Sequence, residues 1–191
     1  MLSMKTARYN YRFYPTPTQE VELAKLFGCV RVVFNWGLES GFEALAREQN
    51  VPSMATLSGL LTKMKKTEQY AWLNEVSCVP LQQSLRHLSR AWNNCWSKRA
   101  KRPRFKSRRD KQSAEFTRSA MKVNAQVVTL AKISGPLELR WSRSLPSHPT
   151  SCTVTKDKAG RYHISFVVEH KPAPAPVTTK QIGVEIGRAH V

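Results

Sequence analysis

Residues 7–14 alternate strictly, with Ala7, Tyr9, Tyr11 and Phe13 on one face and Arg8, Asn10, Arg12 and Tyr14 on the other. A period of two predicts a strand with one apolar and one basic face. Pro15 and Pro17 end it, and Thr16 followed three residues later by Gln19 forms a capping box with proline at the first helical position. The helix that follows is expected to run to about Gln49, because Leu23, Phe27, Val30, Phe34, Leu38 and Leu45 recur near helical spacing. Gly28, Gly37 and Gly41 inside it predict a kink or a close helix contact. Pro52 and Ser53 open a shorter helix through Leu57, Leu60, Leu61 and Met64, ending in Lys63, Lys65 and Lys66.

The clearest helical signal runs from about Pro80 to Arg99. Leu81, Leu85, Leu88, Trp92 and Cys95 make one apolar stripe, with Gln82, Gln83, Arg86, His87, Arg90, Asn93 and Asn94 off it. The stripe reads as core, and Arg86 and Arg90 as a solvated face compatible with nucleic acid. Downstream the periodicity changes to short strands: 114–118, 126–130, 137–141, 152–157 and 161–169. Asp157 to Gly160 reads as the turn of a hairpin. Residues 171–177 form a stiff proline-rich linker.

A lone first strand is orphaned unless it joins the later ones. The predicted fold is therefore α+β: residues 1–15 and 112–170 build a small β-barrel, with a helical block, 16–111, inserted into it. Residues 171–180 link this unit to a further strand at 181–185.

Charge sharpens the picture. Among 191 residues, 31 Lys and Arg face 13 Asp and Glu, a net charge of +18. Such an excess predicts a polyanionic partner, since neutralising phosphates releases counterions. Nine basic residues lie between Lys98 and Lys111 against one acid, Asp110. A block that repels itself cannot form a core and must be exposed. The candidate nucleic-acid-binding residues are thus Arg8, Arg12 and Tyr14 on the first strand, and Lys98, Arg99, Lys101, Arg102, Arg104, Phe105, Lys106, Arg108, Arg109 and Lys111.

No apolar run approaches the roughly 20 residues of a membrane span, and no secretory signal is visible, so the expected setting is the cytoplasm, on the nucleoid when bound to DNA. The four cysteines, Cys29, Cys78, Cys95 and Cys152, have no zinc-ligand spacing and no disulfide pattern. Cys29 and Cys95 fall on apolar helix faces and read as core.

Several segments, in order, resemble the transposon-encoded TnpB (OrfB) family, relatives of the type V CRISPR effectors. They are Tyr9–Pro15 (YNYRFYP), Phe27–Trp36 (FGCVRVVFNW), Trp72–Ser77 (WLNEVS), Leu81–Leu85 (LQQSL), Pro103–Lys106 (PRFK), Arg140–Pro146 (RWSRSLP) and the hairpin end Gly160–Tyr162 (GRY). The resemblance implies a wedge β-barrel carrying a helical, helix-turn-helix-like recognition lobe. It implies an RNA-guided DNA endonuclease of an insertion sequence, associated with transposition and DNA recombination. Its partners would be a guide RNA transcribed from the transposon end and a target DNA read by base pairing.

The run Gln181, Ile182, Gly183, Val184, Glu185, Ile186, Gly187 is similar to the first strand of an RNase H-type (RuvC-like) nuclease core. Its acid, Glu185, stands where the family has its first metal-binding Asp. The implied chemistry is phosphodiester hydrolysis by two divalent ions held by several carboxylates. For the full-length family member this implies Mg2+, with a structural Zn2+ elsewhere. One carboxylate cannot clamp two ions, and the extra methylene of Glu moves its carboxylate by about 1 Å. The expectation is an N-terminal portion that binds without cleaving. A short, catalytically dead DNA- or RNA-binding regulator derived from the family is the alternative reading, and a basic structural RNA-binding protein is a third.

Residues 186–191 can be encoded by ATC GGA AGA GCA CAC GTC, which matches the start of a widely used sequencing adapter when preceded by AG and followed by TGA. They are therefore expected to be a non-native tail, with only the first base of codon 185 native. Asp codons share that first base.

Overall fold

The computed structural model describes residues 5–170. The proline-rich segment 171–180, the strand expected at 181–185, Glu185 and the tail expected at 186–191 lie outside the described residues. Strand β1 (Lys5–Tyr14) leads into helix α1 (Pro17–Ala46), and helices α2 (Met54–Met64) and α3 (Cys78–Trp96) follow. A 3-10 stretch, Glu68–Asn74, separates α2 from α3 and has no counterpart among the elements expected from periodicity. Strands β2 (Gln112–Thr117), β3 (Met121–Asn124), β4 (Val127–Leu130), β5 (Glu138–Leu139), β6 (Ser151–Lys156) and β7 (Tyr162–His170) complete the described residues.

The helix starts are set locally. Thr16 and Gln19 form the capping box in full: Gln19 N–H donates to Thr16 Oγ1 at 3.3 Å, and Thr16 N–H donates to Gln19 Oε1 at 3.1 Å. Gln19 is buried, and its Nε2 also donates to the carbonyls of Ser134 and Pro136 at 2.7 and 3.0 Å. One side chain therefore both caps α1 and ties it to the turn before β5. Ser53 caps α2 by accepting from Thr56 N–H at 3.1 Å.

Helix α1 is continuous: a Cβ on Gly28 would meet nothing within 4 Å, whereas Gly37 and Gly41 serve contact. A Cβ on Gly37 would lie 3.0 Å from the Cδ2 atoms of both Leu85 and Leu88 on α3, and one on Gly41 would lie 3.2 Å from the Trp92 ring. The two glycines let α3 press its apolar stripe against α1 at close range.

Although the helices separate β1 from the other strands in sequence, it sits inside the sheet. The antiparallel order is β2-β6-β7-β1-β5, with β3-β4 as a separate pair. β1 pairs with β7 from Lys5 opposite His170 to Phe13 opposite Tyr162. The inner face stacks Tyr11, Phe13, Ala114, Phe116, Cys152, Val154, Ile164 and Phe166, all buried. These join the α1 and α3 stripes in one core.

The predicted barrel does not close. Among the described residues, β2 and β3 are the free ends of the pairing order, once the single bridge from Val128 to Leu137 links β4 to the start of β5. Seven strands laid flat would separate those ends by roughly 30 Å. Yet only Arg118–Ala120 join β2 to β3, a reach of at most about 15 Å. The strands must therefore curl around the inner face into an open roll. β5 is only two residues long, shorter than the predicted strand at 137–141, although Leu137 still bridges Val128 and the Arg140 N–H still donates to the Arg12 carbonyl at 2.9 Å.

Cys29 and Cys152 are buried, Cys95 is half-buried and Cys78 is exposed; all four are free thiols. Burial pushes the Cys29 thiol up to about 11 and that of Cys152 higher still.

Candidate nucleic-acid interface

The outward face of the sheet is laid out in registered rows. Arg12 lies opposite His163, which lies opposite Thr155 and then Ser113. Asn10 lies opposite Ser165, then Thr153, then Glu115. Arg8 and Arg12 are exposed, and the Arg12 guanidinium lies 5.2 Å from the centroid of the exposed Tyr14 ring. A groove of about 460 Å³ runs over these rows, lined by Arg8, Asn10, Thr153, Thr155, His163, Ser165, Asp157 and Lys111. Lys111 brings the end of the basic segment to the edge of the strand face, so two candidate regions far apart in sequence share one groove.

Two carboxylates near this groove are already engaged. Asp157 accepts from the N–H groups of Ala159 and Arg161 and from Arg161 Nε at 2.7 Å, contacts that hold its carboxyl below the usual range. Glu115 pairs with His87 Nε2 of α3 at 2.7 Å, and this bond, aided by the charges of Arg8 and Arg90, lowers its pKa. The cations of the groove therefore face solvent with little local neutralisation.

The basic segment is held at both ends. At the end of α3, Lys98 adopts the left-handed conformation (φ 56°), and the N–H groups of Arg99 and Ala100 both return to the Asn94 carbonyl. At the other end, Asn35 of α1 grips Lys106: its Oδ1 accepts from the Lys106 N–H at 2.8 Å, and its Nδ2 donates to the Lys106 carbonyl at 3.0 Å. Between these anchors Lys98, Arg99, Lys101, Arg102, Arg104 and Phe105 are exposed. Among the described residues the ion pairs are Lys25–Glu75, His87–Glu115 and Arg161–Asp157, so no carboxylate neutralises these cations. The segment's own acid, Asp110, accepts instead from the Ser107 N–H at 2.8 Å.

Lys106 is placed differently from its neighbours. Its ammonium lies 4.0 Å from the centroid of Phe34, and burial pushes its pKa down. It packs the segment onto α1 rather than facing outward with Arg104. Arg108, Arg109 and Lys111 are exposed beyond it, and Arg86 and Arg90 are exposed on α3.

Thr153, Thr155, His163 and Ser165 do not stand out in the sequence. Their only signal is the alternation in 152–157 and 161–169, which marks an outward set as clearly as it marks the core. Which strands carry those sets side by side is not encoded in that alternation.

The residue implied for a metal ion, Glu185, lies outside the described residues; among those, no group of three or more His, Cys, Asp or Glu could hold an ion. No helix among the described residues is long and apolar enough to cross a membrane.

Residues 1–50 match the family of IS605 OrfB helix-turn-helix domains. The chain is 47% identical to the "Putative RNA-guided DNA endonuclease" of Streptomyces pristinaespiralis over 190 residues, which is 98% of this chain and 47% of that protein. The chain belongs to the TnpB (OrfB) family. It is also 27% identical to the "Putative RNA-guided DNA endonuclease InsQ" of Escherichia coli (strain K12), over 95% of this chain and 45% of InsQ. The virulence protein VsdF of Salmonella dublin is 33% identical over 107 residues, covering 51% of this chain and 90% of VsdF. The TnpB-type chain thus spans about half the length of the two endonuclease-named relatives. Of the residues matched by the helix-turn-helix family, Lys5–Tyr14 form β1 and Pro17–Ala46 the long helix α1.

Proposed function

We propose that this TnpB-type chain is the nucleic-acid-binding half of an insertion-sequence RNA-guided DNA endonuclease. The observation that carries the reading is the groove over the outward strand face, where Arg8, Asn10, Thr153, Thr155, His163 and Ser165 meet Lys111 of the basic segment. Cations and hydroxyl or amide donors on a pleated surface suit a phosphate backbone. Guide RNA from the transposon end is the proposed occupant of the sheet groove, and DNA the proposed second partner. The sheet and helical block correspond in this reading to the wedge and recognition lobe of the family, and residues 181–185 to the opening strand of its nuclease core.

Catalysis would belong to the whole protein. We propose that this chain by itself binds without cleaving. The test is purification of the full chain from cells carrying the element, followed by sequencing of co-purified RNA. An enriched transcript from one transposon end supports the reading; recovery of bulk cellular RNA in proportion to its abundance overturns the guide assignment.

A further inference from the structure

Four aromatic rings from three segments stand in a row beside the basic segment. Trp96, the last residue of α3, stacks on Trp92 with ring centroids 5.8 Å apart and planes within 20°. Trp92 meets Phe42 of α1 edge-on at 5.6 Å, and Phe42 meets Phe105 at 5.8 Å. The inner members are core or half-core: Trp92 is 2% exposed. The outer members are not, with Trp96 56% and Phe105 54% exposed.

Core packing explains Trp92 and Phe42. It does not explain why the row ends in a large exposed ring on each side. Between Trp96 and Phe105 in sequence come Lys98, Arg99, Lys101, Arg102 and Arg104, all exposed and without a carboxylate partner among the described residues. The rings are also rigidly backed, Trp96 by Trp92 and Phe105 by Phe42 and the Asn35 grip on Lys106. Exposed, pre-positioned rings interleaved with unpaired cations match the requirements of a strand whose bases are unpaired: each base has a face to stack and each phosphate a charge to neutralise. A duplex hides its base faces and would use only the cations.

We propose that Trp96 and Phe105 are base-stacking residues, and that the platform they form with the Lys98–Arg104 cations holds an unpaired stretch of DNA. The choice of DNA rests on the function proposed above. An RNA guide that pairs with one strand of a target duplex leaves the other DNA strand without a partner, and that strand must be held.

The test uses the full chain with Trp96→Ala, Phe105→Ala, Trp96→Phe and the charge variant Arg102→Ala. Binding is measured by fluorescence anisotropy to oligo(dT), to a DNA duplex of equal length and to oligo(U). Trp96→Ala and Phe105→Ala are each expected to weaken oligo(dT) binding about tenfold, within the range for removal of one stacked base. Duplex binding should change less than twofold, and Trp96→Phe should retain most oligo(dT) affinity. Quenching of tryptophan fluorescence by oligo(dT) should fall sharply in Trp96→Ala. Unchanged melting temperatures establish that the variants are folded, as expected for exposed rings.

If Trp96→Ala and Phe105→Ala bind oligo(dT) like the parent while Arg102→Ala weakens all three ligands, the stacking proposal fails and the nucleic-acid reading stands. A loss confined to oligo(U) overturns the assignment to DNA. Absence of binding to any of the three by the parent chain overturns both.

Discussion

Asn35 holds Lys106 by both of its main-chain polar groups, accepting from its N–H at 2.8 Å and donating to its carbonyl at 3.0 Å. A side-chain amide thereby replaces a strand partner for one residue of an otherwise irregular segment. The sequence places the two residues 71 apart.

Removing that grip should loosen the basic segment without unfolding the chain. Asn35→Ala leaves two part-buried main-chain groups unpaired, at a cost of about 1–3 kcal/mol. Hydrogen exchange should rise most at residues 98–106, and limited trypsin digestion should cut there first. Uniform exchange acceleration over α1 and α3 as well would show that Asn35 supports the whole helical block.

Gly28 and Gly37 should respond oppositely to alanine. A Cβ on Gly28 meets nothing within 4 Å, so Gly28→Ala gains helix propensity and should stabilise by about 0.5–1 kcal/mol. A Cβ on Gly37 presses on Leu85 and Leu88, both fully buried with little room to yield. Overpacking costs about 1–3 kcal/mol and outweighs the propensity gain. The melting temperature should rise for the first variant and fall for the second.

The His87–Glu115 bond joins α3 to β2 and should make stability depend on acid. Because its pKa is lowered by folding, Glu115 contributes stability that is present above its unfolded value, near 4, and is lost as pH falls through the depressed folded value. Arg8, Arg90 and His87 are the charged or titratable groups acting on it. His87→Ala should destabilise by about 1 kcal/mol at pH 7, reduced by the partial exposure of the pair. Urea titrations of parent and variant should converge as pH is lowered below 4; a gap that persists there would assign the effect to packing.

Charge contributions should divide along the basic segment. Replacing Lys101, Arg102 or Arg104 with alanine should each reduce the slope of log K against log salt by roughly 0.7–0.9, the signature of one fewer phosphate neutralised. Lys106→Met should leave that slope unchanged, because its ammonium is turned onto Phe34. Measuring all four over one salt series separates outward cations from structural ones.

Much of the fold is legible in the chain because it rests on local periodicity. The alternation of residues 7–14 forms β1, the Thr16–Gln19 capping box starts α1, and the stripe from Leu81 to Cys95 forms the inner face of α3. These signals depend on neighbours within one turn or one pleat. The basic segment is equally legible, since a run of like charge has no stable buried arrangement.

Three features depend on contacts between distant residues. The strand order places β1 between β7 and β5, and the three-residue link from β2 to β3 curls the sheet without closing it. The registers then align Arg12 with His163 and Thr155, and Asn10 with Ser165 and Thr153, so that scattered polar residues become one surface. The packing of α1 on α3 turns Lys106 inward and leaves Trp96 and Phe105 exposed at the ends of a ring row. By itself the sequence determined which residues must be buried, which must be wet and where helices begin, because those choices follow from water and short-range hydrogen bonding. Only the tertiary structure decided which wet residues share one surface, because strand register and helix approach are set by long-range packing that no local pattern encodes.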